Sequence, residues 1–216
     1  MRKVIIVGIL LAAATVTFAA IDVSVAPGVW VGGGYRQAAP MFNVAFGISG
    51  KTLAYDFSLD YRKWSGEEEY FDFYMLNFDN YLVVNVTYDN PVDLYFAPLL
   101  SYGKASTSDR LPYYEGENYD NIGLGGKFGV VADYADGLGL VDFYFSYRGG
   151  IVLDGEGVDY LVTTKVGVEG HVPLVPHFRL KVSAGGLSDN FGFYEGMYAY
   201  GSFGSAFLYV GPEFVF

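Results

Sequence analysis

The sequence predicts an all-β fold: a transmembrane antiparallel up-and-down β-barrel of about ten strands with its apolar side chains turned outward. Three observations predict it. Mean hydropathy is positive, +0.25, yet beyond the first twenty residues no apolar stretch reaches the roughly 20 residues a helical span requires. Apolar and polar residues alternate with a period of two along ten segments, as they do when successive side chains of a strand point to opposite faces. The joins between segments run short, long, short, long, with turn residues in the short ones.

The segments follow in order. Residues 23–33 and 41–49 open the series. Residues 51–62, KTLAYDFSLDYR, separate most cleanly, with Leu53, Tyr55, Phe57, Leu59 and Tyr61 on one face. Thr52, Ala54, Asp56, Ser58, Asp60 and Arg62 occupy the other, a split that helical spacing cannot reproduce. After residues 74–88, the stretch 92–103 sets Val92, Leu94, Phe96, Leu100 and Tyr102 against Asp93, Tyr95, Ala97 and Ser101. In residues 121–133, Ile122, Leu124, Phe128 and Val130 oppose Asn121, Gly123, Gly125, Lys127 and Gly129. Residues 140–148, 159–169, 177–184 and 198–216 complete ten; the limits of the fourth and last segments leave eight or twelve open. Short joins are expected at 49–51, 89–91, 134–137 and 170–176. Longer ones are expected at 34–40, 63–72, 104–120, 149–158 and 185–197.

Residues 1–19 read as a signal peptide: Arg2-Lys3, an apolar run over 4–16, then Thr17 and Ala19 before a cut. The barrel is then 20–216. A retained anchor is the alternative, but the run is short for a span. Loss of Arg2 and Lys3 leaves 11 basic against 24 acidic residues, a formal net charge of −13, which excludes phosphate-seeking nucleic-acid binding. The chain has no cysteine, so disulfides, thiol catalysis and thiolate metal sites are excluded together.

The leader, the ten alternating segments, the asymmetry of the joins and the terminal Phe216 together resemble a small bacterial outer-membrane β-barrel protein over the whole of 20–216. The resemblance implies location in the bacterial outer membrane, short turns in the periplasm and longer loops outside. It also implies two partners, outer-membrane lipid and the barrel-assembly machinery. In that class the machinery reads a last strand ending in an aromatic residue with apolar residues at every second position. Leu208, Val210, Phe214 and Phe216 fit that signal and Pro212 departs from it. Tyr55, Tyr61, Tyr88, Tyr102, Phe145, Tyr147, Tyr160, Phe178 and Tyr198 would form interfacial girdles on the outer face. The alternative is a soluble sandwich or lipocalin-like barrel with the same faces as its core, since period alone does not say what an apolar face meets.

If the apolar face is outside, the lumen receives Asp56, Asp60, Asp93, Asp142, Asp159, Glu169 and Glu213 with Arg62, Lys127, Arg148, Lys165, Arg179 and Lys181. Charges of both signs in a narrow cylinder are expected to pair and fill it. The expected function is therefore a non-enzymatic barrel with a structural or surface-interaction role. The alternative is a narrow passive pore, because small inward residues leave room for water. Most of the remaining acids, Glu67, Glu68, Glu69, Asp72, Asp109, Glu115, Glu117, Asp120, Asp154, Glu156, Asp189 and Glu195, are expected on outward-projecting loops. There they either solvate the loops or, with Tyr113, Tyr114, Tyr119, Phe191, Phe193 and Tyr194, take a surface ligand or divalent cations.

Motifs of other chemistry fail on context. GISGKT at 47–52 lacks the first glycine of a phosphate loop and the helix that would follow. GLGGKFG at 123–129 lies within a strand. His171 and His177, the two histidines, flank a short join and lack a third metal ligand. No cofactor, metal or catalytic residue is expected.

Overall fold

The computed structural model describes residues 18–32, 39–50, 52–65, 71–87, 90–109, 118–134, 139–154, 158–193 and 199–216. Residues 1–17 of the expected leader lie outside them. Among the described residues there are ten strands: β1 (Phe18–Gly32), β2 (Ala39–Gly50), β3 (Leu53–Ser65), β4 (Phe71–Asn85), β5 (Val92–Asp109), β6 (Asn118–Tyr134), β7 (Gly139–Asp154), β8 (Val158–Val175), β9 (Phe178–Phe193) and β10 (Ala199–Val215). Each pairs antiparallel with the next, and β10 returns to β1 to close the barrel. Closure leaves no sheet edge, so each strand finds its backbone partners on both sides.

The seam between the first and last strands accounts for the aromatic terminus. Phe216 donates its N–H to Ile21 O at 2.8 Å, and Ile21 N–H donates back to Phe216 O at 3.0 Å. The last residue is a rung of the barrel rather than a loose end.

Several limits differ from expectation, mostly at one end of the barrel. β9 continues to Phe193, so residues 185–193 are strand and not loop. β5 runs on to Asp109 and β7 to Asp154, again shortening the expected loops. At the other end β8 continues to Val175, and the join reduces to Pro176 and His177. His177 has φ 66°, the left-handed conformation usually given to glycine at the second corner of a tight turn. Its Nδ1 lies 2.9 Å from Val215 O, tying this turn to β10.

Tyrosines on the lumen face lie over glycines of neighbouring strands. A Cβ on Gly129 would meet Tyr95 at 2.4 Å, and one on Gly167 would meet Tyr144 at 2.8 Å. Aromatic cover of this kind fills the gap a glycine leaves in a curved sheet. Gly125 is constrained more severely, since its Cβ would fall 1.9 Å from the backbone oxygen of Tyr147.

Candidate functional site

The two faces of the wall decide what medium surrounds it. On β5, Val92, Leu94, Phe96, Leu100 and Tyr102 are exposed, while Tyr95, Ala97, Leu99 and Ser101 between them are buried. The contrast holds around the barrel: Leu124 is 65% and Phe143 54% exposed, whereas Asp60 is 1% and Arg62 0% exposed. This inverts the usual order of a soluble protein, in which a charged group is almost never the buried one. The exposed run from Val92 to Tyr102, at about 3.3 Å per residue and a tilt of about 40°, makes a belt about 25 Å tall, the height of the apolar band of membrane barrels. An uncharged polar side chain within the belt is satisfied locally: Asn80 accepts from Tyr55 OH at 2.6 Å and donates to Leu100 O. The barrel spans a membrane.

Inside, the charges form a cross-wall and a cavity. The cross-wall has two centres. In the first, Arg62 Nη1 donates to Asp189 Oδ2 at 2.7 Å while Thr163 donates to Asp189 Oδ1 at 2.6 Å. Asp60, 4.0 Å from Arg62 Nε, accepts from Tyr209 OH at 2.6 Å and from Lys165 Nζ. In the second, Arg148 Nε donates to Ser101 Oγ at 2.7 Å, its Nη2 to Asn121, and Asp79 lies 3.8 Å away. Gly103 and Gly123 make room for this arginine, because a Cβ at either would lie within 3 Å of its guanidinium. Met41, Met75, Ala105, Leu161, Leu187 and Phe207 pack as a buried apolar cluster at the same level and on its long-loop side. Arg148 is held through two of its nitrogens and Arg62 through Nη1 between two carboxylates, which fixes both buried guanidinium groups.

On the short-turn side lies a cavity of about 420 Å³, lined by Asp22, Asp56, Lys127, Asp142, Glu169 and His171 among others. Lys127 pairs with Asp142 at 2.7 Å and sits 4.4 Å from the Tyr144 ring centroid. Tyr95 OH donates to the same carboxylate at 2.8 Å. Nearer the mouth, Lys181 pairs with Glu169 at 3.0 Å, and His171 bridges Glu169 and Glu213 at 3.2 and 2.8 Å. Arg179 lies 4.0 Å from Glu213.

The structure thus brings together Asp60, Arg62, Lys127, Asp142, Arg148, Lys165, Glu169, Arg179, Lys181 and Glu213 in the lumen. Asp56 lines the cavity. Asp93 instead accepts from Asn90 at the turn between β4 and β5, 3.3 Å away. The side chain of Asp159 lies outside the described residues. Leu208, Val210, Phe214 and Phe216 face outward on β10. Asp189 needs correction. It was expected on an outward loop, but it is 2% exposed and is the main partner of Arg62, because β9 keeps its alternation through Ser183, Gly185 and Leu187 to that residue. Asp120 is likewise in strand β6, paired with Lys104 on the outer face at 3.5 Å. The expected loop acids at 67–69, 115, 117, 156 and 195 lie outside the described residues, as do Tyr113, Tyr114 and Tyr194. Among the described residues no cluster of three metal-ligating side chains is found.

The sequence matches no protein-family model, and no curated protein sequence matches it. Among solved structures the chain is similar to the outer-membrane protease OmpT from Escherichia coli, at 11% identity over 94% of this chain and 98% of that one, with TM-score 0.53. It is similar also to the translocator domain of the autotransporter NalP from Neisseria meningitidis, at 12% identity over 98% and 95%, with TM-score 0.50. Neisserial surface protein A matches at 14% identity over 90% and 95%, with TM-score 0.44. The chain shares the fold of outer-membrane β-barrels.

Proposed function

We propose that this protein is a non-enzymatic barrel of the bacterial outer membrane, with a lumen that does not conduct and a role carried by its long-loop end, as a structural or surface-interaction protein. The observation that carries this reading is the cross-wall of Arg62 and Arg148, buried to 0% and 3% exposure, beneath which the cavity ends. A passage for ions would need a continuous polar path, and paired charges of both signs do not make the one-signed ring of a selective filter. The inside-out wall and the shared fold support the location. In that orientation the short turns face the periplasm. Leu208, Val210, Phe214 and Phe216 then present the assembly machinery with an alternating apolar strand end.

The non-enzymatic reading is supported by the histidines. His171 is held between two glutamates at the short-turn mouth and His177 lies in a turn, both remote from the loop end. That OmpT is a protease carries no reaction across a shared fold. A narrow passive pore is the second reading, favoured by the cavity that reaches from the mouth to the cross-wall. Planar-bilayer recording separates the two. The refolded wild-type protein is expected to give no steady single-channel openings; uniform openings scaling with protein added would overturn the closed-lumen reading.

A further inference from the structure

Among the described strand side chains, those that are charged and face outward are Lys63, Lys104 and Asp120. All three lie on four adjacent strands of the ten, at the long-loop end of β3 to β6. Lysines placed only to hold a barrel at an interface would be spread around its rim; these are gathered. Lys63 pairs in register with Tyr74, and Lys104 with Leu76 on the adjoining strand β4. Strand spacing of about 4.8 Å and a rise of about 3.4 Å put the two lysine Cα atoms about 12 Å apart, so two flexible ammonium groups can meet over one headgroup. Lys63 Nζ lies 5.1 Å from the Tyr74 ring centroid. The side chain of Lys104 is 61% exposed and its pairing with Asp120 is a surface one, weak enough to yield. Beside Lys104 is a groove of about 590 Å³, lined by Tyr61, Tyr74, Leu76, Ser106 and Asp120 among others, with Lys63 at its edge over the lining residue Tyr74. Immediately below, Phe78 and Tyr102 continue the apolar belt, their ring centroids 6.1 Å apart.

We propose that this groove binds a phosphate-bearing lipid headgroup from the membrane leaflet at the long-loop end. The phosphate sits between Lys63 and Lys104, and the acyl chains lie over Leu76, Phe78 and Tyr102. Charge complementarity selects the anion, and the aromatic and aliphatic surface below selects a lipid over a free ion. The site rests on the membrane reading of the wall and adds a specific lipid contact to it.

The test titrates the detergent-folded full chain with short-chain phosphatidic acid and, separately, with the diacylglycerol of the same chains, reading bound lipid by native mass spectrometry. Saturable binding of phosphatidic acid and none of diacylglycerol is expected. The Lys63→Gln, Lys104→Gln double variant should bind about thirtyfold more weakly, as the loss of two interfacial lysines implies. Asp120→Asn, which releases Lys104, should bind several-fold more tightly, and the double Arg variant should retain binding. Equal affinity of wild type and the double Gln variant would overturn the proposal. Release of the lipid by millimolar inorganic phosphate would also overturn it, by making the site one for the free ion. Heat-modifiable gel mobility is followed in parallel. Its retention with lipid binding unchanged sinks the site alone, whereas its absence in the wild type sinks the membrane barrel.

Discussion

Arg62→Ala is expected to destabilise the folded barrel by about 3–5 kcal/mol, the range for removing one partner of a buried ion pair. The size follows from what stays behind. Asp189, 2% exposed, would keep Thr163 as its hydroxyl donor and lose its cation. Asp60 would keep Lys165 and Tyr209, so the penalty falls mainly on Asp189. Urea unfolding in lipid vesicles, followed by tyrosine fluorescence and gel mobility, measures it. Replacing both members of the pair with apolar residues, Arg62→Met with Asp189→Leu, should recover most of the loss, since no charge is then stranded among Met41, Met75 and Leu161. A single variant as stable as wild type would mean that Asp189 reaches water, and that the cross-wall is not dry.

Arg148→Ala is expected to convert a silent barrel into a conducting one. Its guanidinium crosses a part of the lumen where the neighbouring positions are Gly103, Gly123 and Gly150, which carry no side chain to fill the space. Ser101, Asn121 and Asp79 would remain, all polar and all bonded to or near the lost group. Water rather than packing would take its place, since a polar site with several partners holds water readily. That water would join the cavity on the short-turn side. Planar-bilayer recording should show frequent openings for the variant against none for wild type. Silence in both, with the variant folded, would place the barrier at the apolar cluster of Met75 and Leu161 instead.

The wall was legible in the sequence because lipid and lumen impose opposite chemistry on adjacent residues. In residues 53–62 and 92–102 the contrast is nearly unbroken, and the structure keeps those faces. It failed where both faces are polar or small. On β9 the outward positions are Ala184, Gly186, Ser188 and Asn190, so the apolar half of the pattern disappears and Asp189 looks like loop. On β4, Asn77, Asp79 and Asn80 run together, which hid Asp79 as an inward acid. Asp22 stands one residue before the first expected segment, 23–33, and so was left out of the lumen set. The pairing itself was not legible at all. Arg62 and Asp189 are separated by 127 positions, and their meeting depends on the stagger of ten strands around a closed wall. Nor was the role of Gly103 and Gly123, which seat an arginine from β7.

The membrane-facing wall underlies every assignment made above, and a single label tests it. The chain has no native cysteine, so Leu124→Cys gives one site for a nitroxide, at an outward position on β6. In lipid vesicles the label should be relaxed strongly by oxygen, which concentrates in hydrocarbon, and weakly by a water-soluble nickel chelate. Stronger relaxation by the chelate than by oxygen would put water against that face and contradict the account.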